Sequence, residues 1–333
     1  MGLKILVIGC GSIGRRHIKN FLTIGCDVIA WNRGENRRKQ TENDFNIKVF
    51  KSLKDAIHEN KLDAAIICSP NNLHIRHALL CINSGLHIFV EKPLASKIDD
   101  NFDTLHKLAN KKKKIFHVGC NLRFHFGPSK IKSILEKNEI GRLLFGFFWA
   151  GMHLPSWHPL EDYKKMYSSK KSLGGGAVLD FIHEIDLILW MFGKPKSLAG
   201  IISNSGALKI ETEDIADVIF RFKNNLQVSL HVDYLQKPYE RRIKIVGSKG
   251  WVEWDLSQKK VKFYKNKNKK VKVYKYPIAY NHNDMYISQS RYFIKCIKSK
   301  KISESSFQEG MNSLKIALAI KKSSKKNEFM NLK

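Results

Sequence analysis

The sequence predicts an α/β protein in two parts. Residues 1–122 read as a doubly wound parallel sheet, and residues 123–333 as an α+β domain with a largely antiparallel sheet. Three observations predict this. Near the N-terminus, short apolar strands alternate with helices, the grammar of a parallel sheet covered on both faces. A glycine loop, Gly9-Cys-Gly11-Ser-Ile-Gly14, separates the first strand from the first helix. Beyond residue 140, strands follow one another across turn signals, as in hairpins.

In order, strands are predicted at 4–8, 27–31, ending at Val49, at 64–68, 87–90 and 115–119. Helices are predicted at 12–24, at 53–60 with Ser52 as cap, and at 73–84 and 98–109. The second part begins with a helix at 129–138. Strands follow at 143–150, 197–204, 216–222, 227–234, 242–246 and 251–256. Asn224-Asn225, Gly247-Ser-Lys-Gly250 and the turn at 266–268 punctuate them. Two lysine-rich alternating segments around 261–265 and 271–276 read as exposed edge strands, where lysine guards against aggregation. A helix at 176–192 is expected to cover one sheet face, and helices at 284–298 and 306–322 close the chain. From Lys325 the tail is expected to fray.

A hydrophobic fraction of 43% and a mean hydropathy of −0.32 describe a globular chain. No apolar run approaches the roughly 18–20 residues that span a bilayer. Ile5-Leu6-Val7-Ile8 is too short for a signal-peptide core, so the expected location is cytoplasmic. Cys10, Cys26, Cys68, Cys81, Cys120 and Cys296 contain no CxxC pair and read as reduced, buried thiols, with no metal or disulfide role. The formal charge of +29 raises nucleic-acid binding, but the lysines are spread over nearly every predicted loop and exposed face. A lysine-biased composition that attracts anionic small molecules is preferred; neither nucleic acid nor membrane is an expected partner.

Gly9, Gly11 and Gly14 follow a strand and open a helix, the setting in which GxGxxG binds a dinucleotide pyrophosphate at the helix N-terminus, beside Ser12 and Ile13. At the end of the second strand, Asn32-Arg33 stands where a ribose-binding carboxylate is usual, with Arg37 and Arg38 following. Asn32 does not repel a 2′-phosphate and Arg33 can pair with it, which favours NADP over NAD; Arg33 stacked on adenine would suit either. Ser69-Pro70-Asn71-Asn72-Leu73-His74 lies at the carboxyl edge of the fourth strand. There Ser69, Pro70, Asn72 and His74 are candidate cofactor contacts. His74 and His77 could instead stabilise the loop, and no third metal ligand accompanies them. Glu91-Lys92-Pro93 closes the next strand; Glu91 and Lys92 are further candidate cofactor contacts, and a lysine there can hold a substrate hydroxyl and stabilise charge on oxygen.

Downstream, Gly174-Gly175-Gly176-Ala-Val-Leu-Asp180-Phe-Ile-His183-Glu184-Ile-Asp186 puts a carboxylate and an imidazole one helical turn apart, with Asp186 continuing the stripe. The glycines would let backbone approach a ligand closely. Leu187 occupies the fourth position after His183, so HExxH zinc chemistry is excluded. An imidazole has a suitable ordinary pKa for a proton acceptor, and Asp180 can orient it or the substrate. Trp157, His158, Tyr163 and Tyr167 precede the glycines and suit a sugar face, while Arg123 could meet a phosphate or carboxylate. Packing accounts for these five equally well.

Taken together, the Gly9–Gly14 loop, Glu91-Lys92-Pro93, the segment 119–123, Ile140-Gly141-Arg142 and the segment 174–186 resemble the glucose–fructose oxidoreductase / inositol dehydrogenase / rhizopine catabolism (Gfo/Idh/MocA) family over essentially the whole chain. The resemblance implies an N-terminal Rossmann domain, and a C-terminal domain whose open sheet supports a homodimer or homotetramer. It also implies NAD- or NADP-dependent oxidation or reduction at a carbon of a sugar, polyol or nucleotide sugar. Lys92, Asp180 and His183 match the family's catalytic positions. Many members separate that Asp and His by four residues; three separate them here, a pattern associated with surface-polysaccharide and amino-sugar contexts. Two rival activities stay open: a glycosidase using NAD for transient oxidation, and a non-catalytic cofactor-binding protein.

Overall fold

The computed structural model describes residues 2–58, 61–99, 101–157, 159, 161–267 and 269–332. Its chain forms two compact units: Met1–Asn121 with His282–Asn312, and Leu122–Asn281 with Ser313–Lys333.

In the first unit the order is β1 (Lys4–Ile8), α1 (Ser12–Thr23), β2 (Asp27–Trp31), α2 (Glu35–Phe45), β3 (Val49–Phe50), α3 (Leu53–His58), β4 (Ala64–Ile67), α4 (His74–Asn83), β5 (His87–Val90), α5 (Asn101–Lys111) and β6 (Phe116–Val118). The sheet is wholly parallel, ordered β3-β2-β1-β4-β5-β6. Ile5, Leu6, Val7 and Ile8 of β1 and all four residues of β4 are buried, because helices cover both faces. The chain order reverses between β1 and β4, so the crevice at their carboxyl ends is the place where such sheets take ligands.

Helix α2 escapes the periodicity reading. Its sequence is polar except for Phe45 and buries only Thr41, so its support comes from Glu35 paired with Lys39 one turn on, from Asn46 capping the end in the left-handed region, and from Arg15 of α1, which meets Asp44 and lies over the Phe45 ring.

The second unit runs α6 (Phe126–Glu136), β7 (Leu143–Gly151), α7 (Ala177–Asp180), α8 (Ile182–Phe192), β8 (Ser197–Ser203), β9 (Ile215–Arg221), β10 (Gln227–Asp233), β11 (Glu240–Gly247), β12 (Gly250–Asp255), β13 (Lys260–Lys265) and β14 (Lys270–Lys275). The last elements are α9 (Asp284–Ser299), α10 (Phe307–Lys326) and β15 (Met330–Asn331). The nine-stranded sheet is ordered β14-β13-β12-β11-β7-β10-β9-β8-β15, antiparallel except where β7 and β10 run parallel. One face is packed, with β9 alternating buried and exposed along its length. On the other face Phe145, Phe147, Ile201 and Ile219 stand exposed.

Four expectations change, the first being the tail beyond Lys325, which does not fray but ends in β15, antiparallel to β8. Residues 282–312 were assigned to the second domain, yet α9 packs on α1 within the first unit, with Phe293 edge-on to Phe89 at 5.5 Å. An amphipathic stripe tells a helix to bury a face but not against which sheet. Of the two lysine-rich strands, only β14 is an edge; β13 lies inside, with Val261 and Phe263 buried. The helix expected at 176–192 is broken at Phe181, so Asp180 ends α7 and His183 sits in the first turn of α8.

Candidate active site

The glycine loop is built as its spacing requires. Gly9 has φ +100°, and a Cβ there would crowd the Cys68 carbonyl at 2.8 Å, while a Cβ on Gly14 would overlap the Gly9 carbonyl. These two glycines pack the loop against its own backbone. Gly11 is different: among the described residues, the one group within reach of a Cβ there is the Arg37 guanidinium, at 3.7 Å. Gly11 is also the N-cap of α1 and brings no side-chain acceptor, so the helix start, with exposed Ser12 and half-buried Ile13, keeps its first N–H groups for a ligand. Asn32 closes the loop from β2, its Oδ1 accepting from Cys10 N–H at 3.1 Å. Arg33 is exposed, and Arg38 donates to the carbonyls of Asn32 and Arg33 at 3.2 and 2.7 Å, so Arg38 is spent on the backbone. Burial pushes the Cys10 thiol up to about 11, which leaves it inert.

At the end of β4, Pro70 and Asn72 are exposed, while Asn71 is buried and its Nδ2 meets no acceptor among the described residues. His74 is buried with Nδ1 2.9 Å from Pro93 O and Nε2 2.8 Å from Ser69 O. Burial lowers its pKa against the pull of those carbonyls, and the neutral ring has one N–H to share between them. His74 is thus a clamp between two loops rather than an open cofactor contact. His77 bonds the Ser69 hydroxyl at 2.9 Å, and burial drops its pKa to about 4. Lys92 is half-buried after β5, before a cis-proline. Glu91 faces inward, its Oε1 2.7 Å from His17 Nε2, so this carboxylate is committed to the protein.

In the second unit the glycine run serves packing. A Cβ on Gly175 would strike the Tyr167 and Ser168 carbonyls, and one on Gly176, at φ +114°, would overlap the Glu213 carboxylate. The close approach these two glycines allow is to the Tyr167–Ser168 backbone and to the Glu213 side chain. Asp180 is 3% exposed, and the wholly buried Tyr234 donates its hydroxyl to Oδ2 at 2.6 Å. Burial, and then the Asp180 charge, push the Tyr234 phenol well above its ordinary value, so it remains a donor. His183 is half-buried. Neither following acid extends the stripe. Glu184 pairs with Arg241 at 2.7 Å, and Asp186 receives both Arg123 Nε and Nη2 at 2.8 and 2.6 Å.

Arg123 is consequently a buried strut, its charge already met, where the sequence allowed a ligand contact. Trp157 stands edge-on to Phe181 and Tyr234, at 6.0 and 5.6 Å, and Tyr167 lies close enough to Tyr234 to raise its pKa further. Tyr163 donates to Leu208 O at 3.0 Å and ties down the loop. His158 lies outside the described residues. Sequence reasoning missed Tyr234, His17 and Asn71. Tyr234 directly follows β10, far along the chain from Asp180, and nothing local marks it. His17 follows the third glycine by three residues, one turn into a helix whose inward face was legible.

Among the described residues, no group of three or more His, Cys, Asp or Glu could hold a metal, and no helix is long and apolar enough to cross a membrane.

Comparison with known proteins gives a consistent picture. Residues 3–120 match a family model described as an oxidoreductase family with NAD-binding Rossmann fold, and residues 129–253 match the GFO/IDH/MocA C-terminal domain. A myo-inositol 2-dehydrogenase of Thermotoga maritima is 27% identical over 99% of this chain and 98% of its own length. An inositol 2-dehydrogenase of Salmonella typhimurium is 23% identical over 76% of this chain and 74% of its own. Among solved structures, levoglucosan dehydrogenase in complex with NADH and levoglucosan superimposes with a TM-score of 0.89 at 17% identity, covering 99% of both chains, which is a likeness of fold.

Proposed function

The chain belongs to the Gfo/Idh/MocA family of oxidoreductases, and from that premise we propose that it is a nicotinamide-dependent dehydrogenase. It moves hydride to or from a carbinol carbon of a polyol, sugar or nucleotide sugar. The observation that carries this reading is the glycine loop. Gly9 and Gly14 are fixed by packing, while Gly11 opens onto Arg37 at an uncapped helix start, as a dinucleotide pyrophosphate requires. The orphaned donor Asn71 Nδ2 at the β4 edge fits the same ligand.

Bound nicotinamide supplies the hydride acceptor or donor. In the oxidative direction His183 accepts the hydroxyl proton on a ring nitrogen, the Lys92 ammonium stabilises the developing alkoxide, and Asp180 orients the hydroxyl. Tyr234 keeps the Asp180 carboxylate turned by donating to one of its oxygens. On this reading Trp157, edge-on to Tyr234, and Tyr167 are the aromatics offered to the sugar, and Arg123 acts only through its pair with Asp186. The inositol dehydrogenases above make myo-inositol the first probe. Work on a surface-polysaccharide or amino-sugar precursor is the narrower reading, suggested by the Asp180–His183 spacing.

The exposed apolar row Phe145, Phe147 and Ile219 on the sheet supports a homodimer or homotetramer, which sedimentation velocity checks; a monomer at micromolar concentration sinks that part. The test of the chemistry is reduced-nicotinamide absorbance with NAD+ or NADP+ and a polyol and sugar panel led by myo-inositol. Lys92→Ala and His183→Ala should each lose about 10²–10⁴-fold in turnover. Near-normal turnover in both folded variants refutes the assignment. Release of free sugar without net reduction would instead select the glycosidase alternative.

A further inference from the structure

Behind Lys92 stands a buried histidine–carboxylate pair. His17, on α1, has no exposed surface, and its Nε2 lies 2.7 Å from Glu91 Oε1. Glu91 is itself buried, and its Oε2 accepts the Lys92 backbone N–H at 3.2 Å. The carboxylate rests on Gly119, where a Cβ would come within 2.9–3.1 Å of its atoms, so it is walled in on that side as well. On the far side of Lys92, His74 holds the Pro93 carbonyl at 2.9 Å.

This arrangement is costly and specific. A buried carboxylate is tolerated only when paired and hydrogen-bonded, and His17 is the side chain that pairs it. His17 Nδ1 meets no hydrogen-bond partner among the described residues. An imidazole kept in the core with one nitrogen unmet is there for the contact made by the other, since an apolar side chain would fill the space without that loss. Its rings, Phe89 at 4.9 Å and Tyr286 at 6.3 Å, fix the imidazole plane. One helix thus starts at the phosphate-binding loop and, a turn and a half later, holds the residue adjoining Lys92.

We propose that His17 is a positioning residue: acting through Glu91, it fixes the backbone from which the Lys92 side chain projects. The proposal rests on the reading of Lys92 as the group that meets substrate and nicotinamide. Without the Nε2 donor, the Glu91 carboxylate turns or recruits water and releases Lys92 N–H, while the glycine loop one turn away stays as it is.

The experiment compares wild type with His17→Ala, His17→Gln, His17→Leu and Lys92→Met. Gln places an amide N–H where Nε2 was, and Leu matches it in size without a donor. Three quantities are read: NADH affinity by fluorescence, acetylation of Lys92 by acetic anhydride with and without NADH by peptide mass spectrometry, and kcat and KM on the panel substrate that turns over. His17→Ala and His17→Leu should bind NADH within about threefold of wild type, lose the NADH shielding of Lys92, and lose about 10–10²-fold in kcat, the scale of a displacement on the order of 1 Å. His17→Gln should recover both. Where His17→Ala does not fold, the Gln and Leu pair carries the comparison. Wild-type shielding and kcat in a folded His17→Ala or His17→Leu variant overturn the proposal. If NADH fails to shield Lys92 in the wild type and Lys92→Met turns over normally, the Lys92 reading itself falls, a pattern distinct from the first.

Discussion

Asp186→Ala separates the scaffold from the chemistry in the second unit. Asp186 takes two hydrogen bonds from the Arg123 guanidinium, at 2.8 and 2.6 Å, with the side chains 4% and 1% exposed for Arg123 and Asp186. Removing the carboxylate takes the bidentate counter-charge from a buried guanidinium that lies 5.7 Å from the Trp190 ring. Breaking a buried pair from one side costs about 3–5 kcal/mol. For a domain of this size each kcal/mol moves Tm by about 2–4 °C, so a fall of roughly 6–20 °C is expected. Replacing both partners, as Arg123→Met with Asp186→Leu, removes charge and counter-charge together and should regain most of that loss. Thermal and urea unfolding measure the first quantity, and KM for the panel substrate the second. The double variant should keep KM, because Arg123 is already satisfied by Asp186. Stability of Asp186→Ala within about 1 kcal/mol of wild type refutes the energetic argument. A stable double variant with KM raised about tenfold would return Arg123 to the substrate, since one charge-assisted hydrogen bond is worth that much.

Two further outcomes are expected. NADP(H) should bind at least as tightly as NAD(H), and Arg33→Ala or Arg37→Ala should weaken NADP(H) selectively by about tenfold or more, the worth of a charge-assisted hydrogen bond. Asn32→Asp should shift preference towards NAD(H); equal losses for both cofactors in calorimetric titration would show the arginines only stacking. On the open sheet face, burial opposes a charge on His231, but hydrogen bonds to Asp233 and Asp217, at 3.2 and 2.7 Å, outweigh it and raise the pKa. With the folded value above the unfolded one, this contribution is full below the ordinary histidine pKa and is lost as pH rises through the raised value. The site is partly exposed, so the loss is about 1 kcal/mol or less, and Asp217→Asn should flatten that part of the stability–pH profile. An unchanged slope in Asp217→Asn counts against it.

Much of the fold was written locally. Apolar runs at β1, β4 and β5, the glycine spacing before α1 and the alternation along β9 and β10 each follow from neighbours in the chain, because helix and strand periods act over a few residues. Helix α2 was not legible because it is held by a C-terminal cap, charge pairs and Arg15 of α1, not by an apolar stripe. The residues Lys92, Asp180 and His183 were legible as candidates, since each stands beside a glycine turn or a strand end.

Tertiary structure decided what each motif residue is bound to. Asp180 takes its partner from Tyr234, Asp186 from Arg123, Glu184 from Arg241 and Glu91 from His17. These partners lie between 54 and 74 residues apart in the chain. Such pairings carry no local signal: burial makes a charged group find an opposite charge or a donor, but only the packed chain determines which one is within reach. The sequence by itself determined the fold class and the kinds of residue available for hydride chemistry. Packing decided which of them support the scaffold, because desolvation, and not residue type, sets the cost of leaving a charge unpaired.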